Sequence, residues 1–187
     1  MRTTIIKTAV CVIAITTLLS CGKEKKAKET TLNEMEQSVD KSIDINKTDT
    51  KSEVLFTNDT INAIYHQYLA IKAGLVNSNN EITRAEAKKM ETLIPNEEKY
   101  KQLGGVTKLI ALNKNIDKQR DFLVTLTEET EKLISDAAIT SGEVYKQFCP
   151  MAFDGAGGYW LSDSKEVRNP YYGDKMLTCG SVEKTIK

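Results

Sequence analysis

Ile61-Asn-Ala-Ile-Tyr-His-Gln-Tyr-Leu-Ala-Ile-Lys-Ala-Gly-Leu75 is the stretch on which the fold turns. Its apolar residues Ile61, Ile64, Tyr65, Tyr68, Leu69, Ile71 and Leu75 recur every three or four positions, which gathers them on one side of an α-helix. Asn58 or Thr57 precedes them with a side chain suited to capping, and Asn77-Ser-Asn-Asn80 ends the run. Such a stripe needs partners, and the downstream chain supplies them. A second helix is expected over Ile82–Ile94 through Ala85, Met90 and Leu93, with Pro95 just beyond it as a stop. Gly104-Gly105 is then expected to break the chain. A third helix is expected from Val106 to about Ile116, and a fourth over Lys118–Ala138 with Phe122, Leu126, Leu133 and Ile134 on one face. Amphipathic segments joined by short turns make the fold mainly α, a bundle of about four helices.

Past Ser141-Gly142 the helical period disappears. Val144-Tyr-Lys-Gln-Phe-Cys-Pro-Met-Ala-Phe153, Asp154-Gly-Ala-Gly-Gly158, Tyr159-Trp-Leu161 and Asn169-Pro-Tyr-Tyr-Gly-Asp-Lys-Met-Leu-Thr-Cys-Gly180 are rich in glycine and aromatic residues. They read as loops, tight turns and short strands, with Trp160 and Tyr171 or Tyr172 packing the segment back onto the bundle. Asp154–Gly158 lacks the Gly-Lys-Ser/Thr ending that a phosphate loop requires, so it is a turn and not a nucleotide site. Arg168-Asn169-Pro170-Tyr171 and Asp174-Lys175 read as a turn whose polar groups hold the loop.

Upstream of the bundle, Arg2 and Lys7 flank an apolar run from Thr8 to Leu19, the pattern of a secretory signal over residues 1–20. It is too short to span a bilayer and is followed at once by Gly22-Lys-Glu-Lys-Lys-Ala-Lys28. Leu18-Leu19-Ser20-Cys21-Gly22 resembles the bacterial lipobox, which makes Cys21 the lipidated residue. Several acyl chains on Cys21 would hold the protein to a membrane, at about 0.8 kcal/mol per buried methylene. Residues 21–56 carry too few apolar side chains to offset the entropy of ordering and read as a flexible tether, so the folded domain is expected over 57–187. The expected place is the cell envelope, lipid-anchored at the outer membrane.

Charge and composition exclude several classes. The 187 residues carry 26 Lys+Arg and 26 Asp+Glu, so there is no electrostatic footprint for nucleic acid. A single histidine, His66, rules out His-rich zinc chemistry, and no Gly-x-Ser-x-Gly elbow occurs. No acid pair stands out as catalytic. A redox or nucleophilic Cys149 would need His66 as its base. The chain reads as a non-enzyme.

Four cysteines are present; Cys11 leaves with the signal and Cys21 takes lipid, so Cys149 and Cys179 remain. An even pair outside the cytoplasm is one reading, a disulfide closing the aromatic segment. The other reading starts from the methionines beside them, in Cys149-Pro150-Met151 and Met176-Leu177-Thr178-Cys179. Thiolates and thioethers together select soft ions such as Cu(I). Cys149, Met151, Met176 and Cys179 are the candidate ligands, with His66 as a further imidazole.

Tyr65-His-Gln-Tyr-Leu-Ala-Ile-Lys-Ala-Gly-Leu-Val76, Asp117-Lys-Gln-Arg-Asp-Phe122, Gln147-Phe-Cys-Pro-Met-Ala152, Gly158-Tyr-Trp-Leu-Ser162, Glu166-Val-Arg-Asn-Pro-Tyr171 and Gly173-Asp-Lys-Met-Leu-Thr-Cys-Gly180 together resemble a bacterial domain family of unknown function, over roughly residues 57–186. That resemblance implies a stand-alone lipoprotein, or a domain otherwise appended to periplasmic adaptors of heavy-metal (copper/silver) efflux systems. It carries no catalytic residues. The expected function is therefore to bind, or assist the efflux of, copper or another soft metal, with an efflux adaptor as the implied partner. The alternative is an interaction module with a Cys149–Cys179 disulfide that docks an envelope partner.

Overall fold

The computed structural model describes residues 52–187. The expected signal segment 1–20, the expected lipidation at Cys21 and most of the expected tether lie outside the described residues. Among the described residues four α-helices come first: α1 Asp59–Val76, α2 Asn80–Leu93, α3 Lys101–Leu112 and α4 Ile116–Ser135. A two-residue strand β1, Leu55–Phe56, precedes them, and β2 Ile139–Ser141, β3 Val144–Cys149, β4 Gly158–Ser162 and β5 Ser181–Ile186 follow. The fold is mainly α with a helical-bundle core, as the periodicity implies.

Three helices start on an asparagine. The Asn58 side chain accepts from Ile61 N, Asn79 from Glu81 N and Ile82 N, and Asn115 from Asp117 N and Lys118 N. Each cap satisfies amides that have no intrahelical acceptor. Ile64, Tyr65, Tyr68, Ile71 and Leu75 of α1 are fully buried, and α1 packs on both α2 and α4 while α3 closes the ring between them. Burial of an Ile or Leu of this kind contributes about 1.5–3 kcal/mol.

Gly104-Gly105 does not break the chain. Both residues lie inside α3, which starts five residues earlier than expected, and the chain break falls instead at Asn113-Lys-Asn115. Leu103, Val106, Thr107, Ile110 and Ala111 form a buried face along α3. That burial outweighs the cost of a helical glycine, about 1 kcal/mol each. The packed unit also begins earlier than residue 57: Val54 and Phe56 are buried, the Phe56 ring meets Tyr65 edge-on at 5.3 Å, and β1 pairs antiparallel with β2.

The C-terminal segment forms an antiparallel sheet of order β4-β3-β5. Tyr145↔Ser162, Gln147↔Trp160 and Cys149↔Gly158 are register partners between β3 and β4. One side of this sheet meets the bundle: Val144 and Leu161 are fully buried, and Lys146 pairs with Glu131 of α4 at 2.7 Å. Two polar links from α1 hold β4 in place. The Tyr68 hydroxyl accepts from Leu161 N at 3.0 Å and bonds Thr127 Oγ1 of α4 at 2.8 Å, while Lys72 Nζ donates to Ser162 Oγ at 3.1 Å. The chain after β4 folds over the other side, where Gln147 Nε2 donates to the carbonyls of Ser164 and Glu166 and Gln147 Oε1 accepts from Trp160 Nε1.

Candidate functional site

The last residue of β3 and the last residue but one before β5 are both cysteines, and the pairing of these strands brings them together. Cys149 is fully buried, Cys179 is half-buried, both are free thiols, and their Sγ atoms lie 3.6 Å apart. The close approach depends on Gly180, at φ +145°. A Cβ there would lie 2.7 Å from the Phe148 carbonyl oxygen and 2.9 Å from the Trp160 ring. The hydrogen shared with Cys149, and after it partial burial, holds the Cys179 thiol above its ordinary pKa.

Aromatic rings wall the pair. Tyr171 meets Trp160 at 6.0 Å and Phe153 at 5.2 Å, both edge-on, and its hydroxyl donates to the Tyr159 carbonyl. Burial pushes the Tyr171 hydroxyl well above the ordinary tyrosine range, so it stays a donor. Tyr172 OH donates to the Met151 carbonyl at 2.6 Å.

The two candidate thioethers are both exposed. Met176 belongs to the turn that ends at Cys179, whose amide donates to the Met176 carbonyl at 3.1 Å, and Met151 follows Cys149 by two residues. Met151 is 52% exposed and Met176 38% exposed, unusual for a residue type that commonly fills cores. His66 stands apart in its bonding: its Nε2–H donates to the Val54 carbonyl at 2.9 Å, which ties the ring to the segment before β1. Among the described residues no three His, Cys, Asp or Glu side chains gather as a metal-binding group. A metal at the thiol pair would therefore complete its shell with thioethers or external donors.

The arm that delivers Cys179 runs from Asn169 to Gly180. Asn169 is fully buried; its Oδ1 accepts from Tyr171 N at 2.8 Å and Tyr172 N at 3.3 Å, and its Nδ2 donates to the Cys179 carbonyl at 2.7 Å. Arg120 of α4 reaches the same arm, donating from Nε to the Pro170 carbonyl at 3.0 Å and from Nη2 to Ser78 Oγ at 3.1 Å. Gly173, at φ +59°, lets the arm touch the α1–α2 turn, since a Cβ there would lie 2.4 Å from Ser78 Oγ and 2.8 Å from the Val76 carbonyl.

The sequence marks Asn169 only as a turn former and assigns no role to Arg120 or Lys72. Lys72 carried a readable signal: it follows Tyr65 and Tyr68 by seven and four residues, so it lies on the apolar side of α1. Its amine is 6% exposed as a residue and burial pushes it down to about 8, with Asp163 opposing that shift.

Comparison with known families places a match on the bundle. Residues 64–142 are similar to the family described as protein of unknown function (DUF3347). The match runs from the first buried turns of α1 to the turn after β2 and stops before Cys149, a shorter span than the 57–186 of the sequence resemblance. No curated protein and no solved structure matches the chain.

Proposed function

We propose that this protein is a lipid-anchored envelope protein whose C-terminal arm binds a soft monovalent ion, Cu(I) above all, at Cys149 and Cys179, either to hold it or to assist its efflux. One observation carries the reading: two thiols 3.6 Å apart, one at the end of β3 and the other just before β5. Met151 and Met176, both exposed and within three residues of a cysteine in the chain, offer thioethers of the softness that favours Cu(I) over Zn(II). The lipid anchor rests on the Cys21 motif, and an efflux adaptor as partner rests on the family resemblance.

Titration of the reduced protein with Cu(I) against a chromophoric Cu(I) chelator tests the site. Uptake of one ion per chain is expected, lost in Cys149→Ser and Cys179→Ser and weakened in Met176→Leu. A wild-type chain that takes no copper from the chelator ends the proposal. The anchor has its own test: Cys21→Ser moves the protein from the membrane fraction to the soluble fraction, and unchanged membrane retention contradicts it.

The same separation favours a second reading, in which the pair is a disulfide that staples the arm to β3 for docking an envelope partner. Closing a loop of this length stabilises by roughly 3–4 kcal/mol. A count of free thiols in protein isolated without reductant separates the two readings: two favour the metal site, none favours the staple.

A further inference from the structure

We propose that Asn169 is the positioning residue of the Cys149–Cys179 pair, with Arg120 latching it to the bundle. The inference rests on reading the two cysteines as the working site. Cys149 is held by its pairing with Gly158 of β4, and its neighbour Phe148 by pairing with Ser181 of β5, so the separation of the sulfurs is set on the Cys179 side. Cys179 lies outside any strand, between the helical turn Gly173–Met176 and β5. Asn169 brackets that short run from below. Its backbone N–H donates to the Leu177 carbonyl at 2.8 Å and its side-chain Nδ2 to the Cys179 carbonyl at 2.7 Å, so both residues flanking Thr178 hang on one asparagine.

The asparagine is itself held rigidly. Its Oδ1 takes the amides of Tyr171 and Tyr172, and its carbonyl takes Gly173 N at 3.0 Å, so every polar atom of the residue is engaged while none of its surface is exposed. The next carbonyl, Pro170, is bound by Arg120 Nε. Arg120 in turn donates to the Leu75 carbonyl at 3.4 Å, to Ser78 Oγ and to Asp117 Oδ1 at 3.2 Å. A guanidinium suits this role because its fixed planar fork holds five donors in directions that a compact ammonium, with three on one nitrogen, does not reproduce. The helical bundle thus sets the geometry of a sulfur pair to which it contributes no ligand.

Asn169→Asp is the informative variant. It keeps the acceptor for Tyr171 and Tyr172 and replaces only the donor to Cys179 with an oxygen that repels the carbonyl. The measurement is the equilibrium of the full chain with glutathione, free of metal. Oxidised glutathione accepts two electrons and two protons from the thiol pair, giving the intramolecular disulfide and two reduced glutathiones. Asn169→Asp is expected to lower that equilibrium constant by about tenfold. Met90→Ala, which destabilises the core between α2 and α3 away from the pair, is expected to leave it within about twofold. An unchanged constant in Asn169→Asp, or an equal fall in Met90→Ala, overturns the proposal. Should Asn169→Asp fail to fold, Arg120→Lys carries the test with the same expected fall, since it keeps the charge and loses the fork. The readout is independent of copper: a wild-type chain that binds no Cu(I), together with a shifted constant in Asn169→Asp, rejects the function and retains the positioning role.

Discussion

At the scale of the residue, Lys72 is the side chain that works hardest against its surroundings. Its amine is nearly covered, donates to Ser162 Oγ, and among the described residues has no carboxylate within ion-pair distance. Burial takes its pKa from 10.5 to about 8. Between those values the unfolded chain binds more protons than the folded one, so stability falls as pH drops from 10.5 to about 8, stays at the lower level below 8, and is regained as pH rises toward 10.5. At about 1.4 kcal/mol per unit the effect is on the order of 3 kcal/mol. Lys72→Met should raise the urea midpoint at pH 7, and the gap to wild type should shrink by pH 10; a constant gap across that range would falsify this account of Lys72. Tyr68 does the reverse, since its hydroxyl serves Leu161 N and Thr127 together. Tyr68→Phe leaves a buried amide unpaired, at a cost of about 1–3 kcal/mol in equilibrium unfolding.

Elements are where sequence and structure can be set side by side. The period of α1 was legible because every third or fourth residue from Ile61 to Leu75 is apolar, and its cap because an asparagine stands at the right distance. α3 was misjudged because glycine is read by local cost, whereas Leu103, Val106 and Ile110 decide the matter through contacts that no local rule contains. The same logic gives opposite results for two glycines. Gly105→Ala should stabilise the fold by about 0.5–1 kcal/mol, because a Cβ there meets nothing within 4 Å and the helix gains rigidity. Gly173→Ala should destabilise by more than that, because its positive φ and its contact with the α1–α2 turn admit no side chain. Thermal melts of the two variants moving in the same direction would contradict this. Of the candidate site, the sequence held the residue types but not their partners. Cys149 and Cys179 are thirty positions apart and meet only because β3 pairs with β5, and the hold of Asn169 on Cys179 is a long-range bond that no spacing announces.

On the scale of the whole molecule, the described chain divides its labour. The bundle, which carries the similarity to the DUF3347 family, provides a floor, and β3 together with the arm before β5 brings the two thiols together. Polar links cross between them at Tyr68, Lys72 and Arg120. The proposed metal site would thus sit on a stable base, with Met151 and Met176 exposed. The central claim is that Cys149 and Cys179 bind that ion together. X-ray absorption at the copper edge, on reduced protein loaded with one equivalent of Cu(I) and then desalted, tests it most directly. The account predicts retained copper with a sulfur-only shell at about 2.3 Å. Copper lost on desalting, or held by nitrogen and oxygen alone, would contradict it.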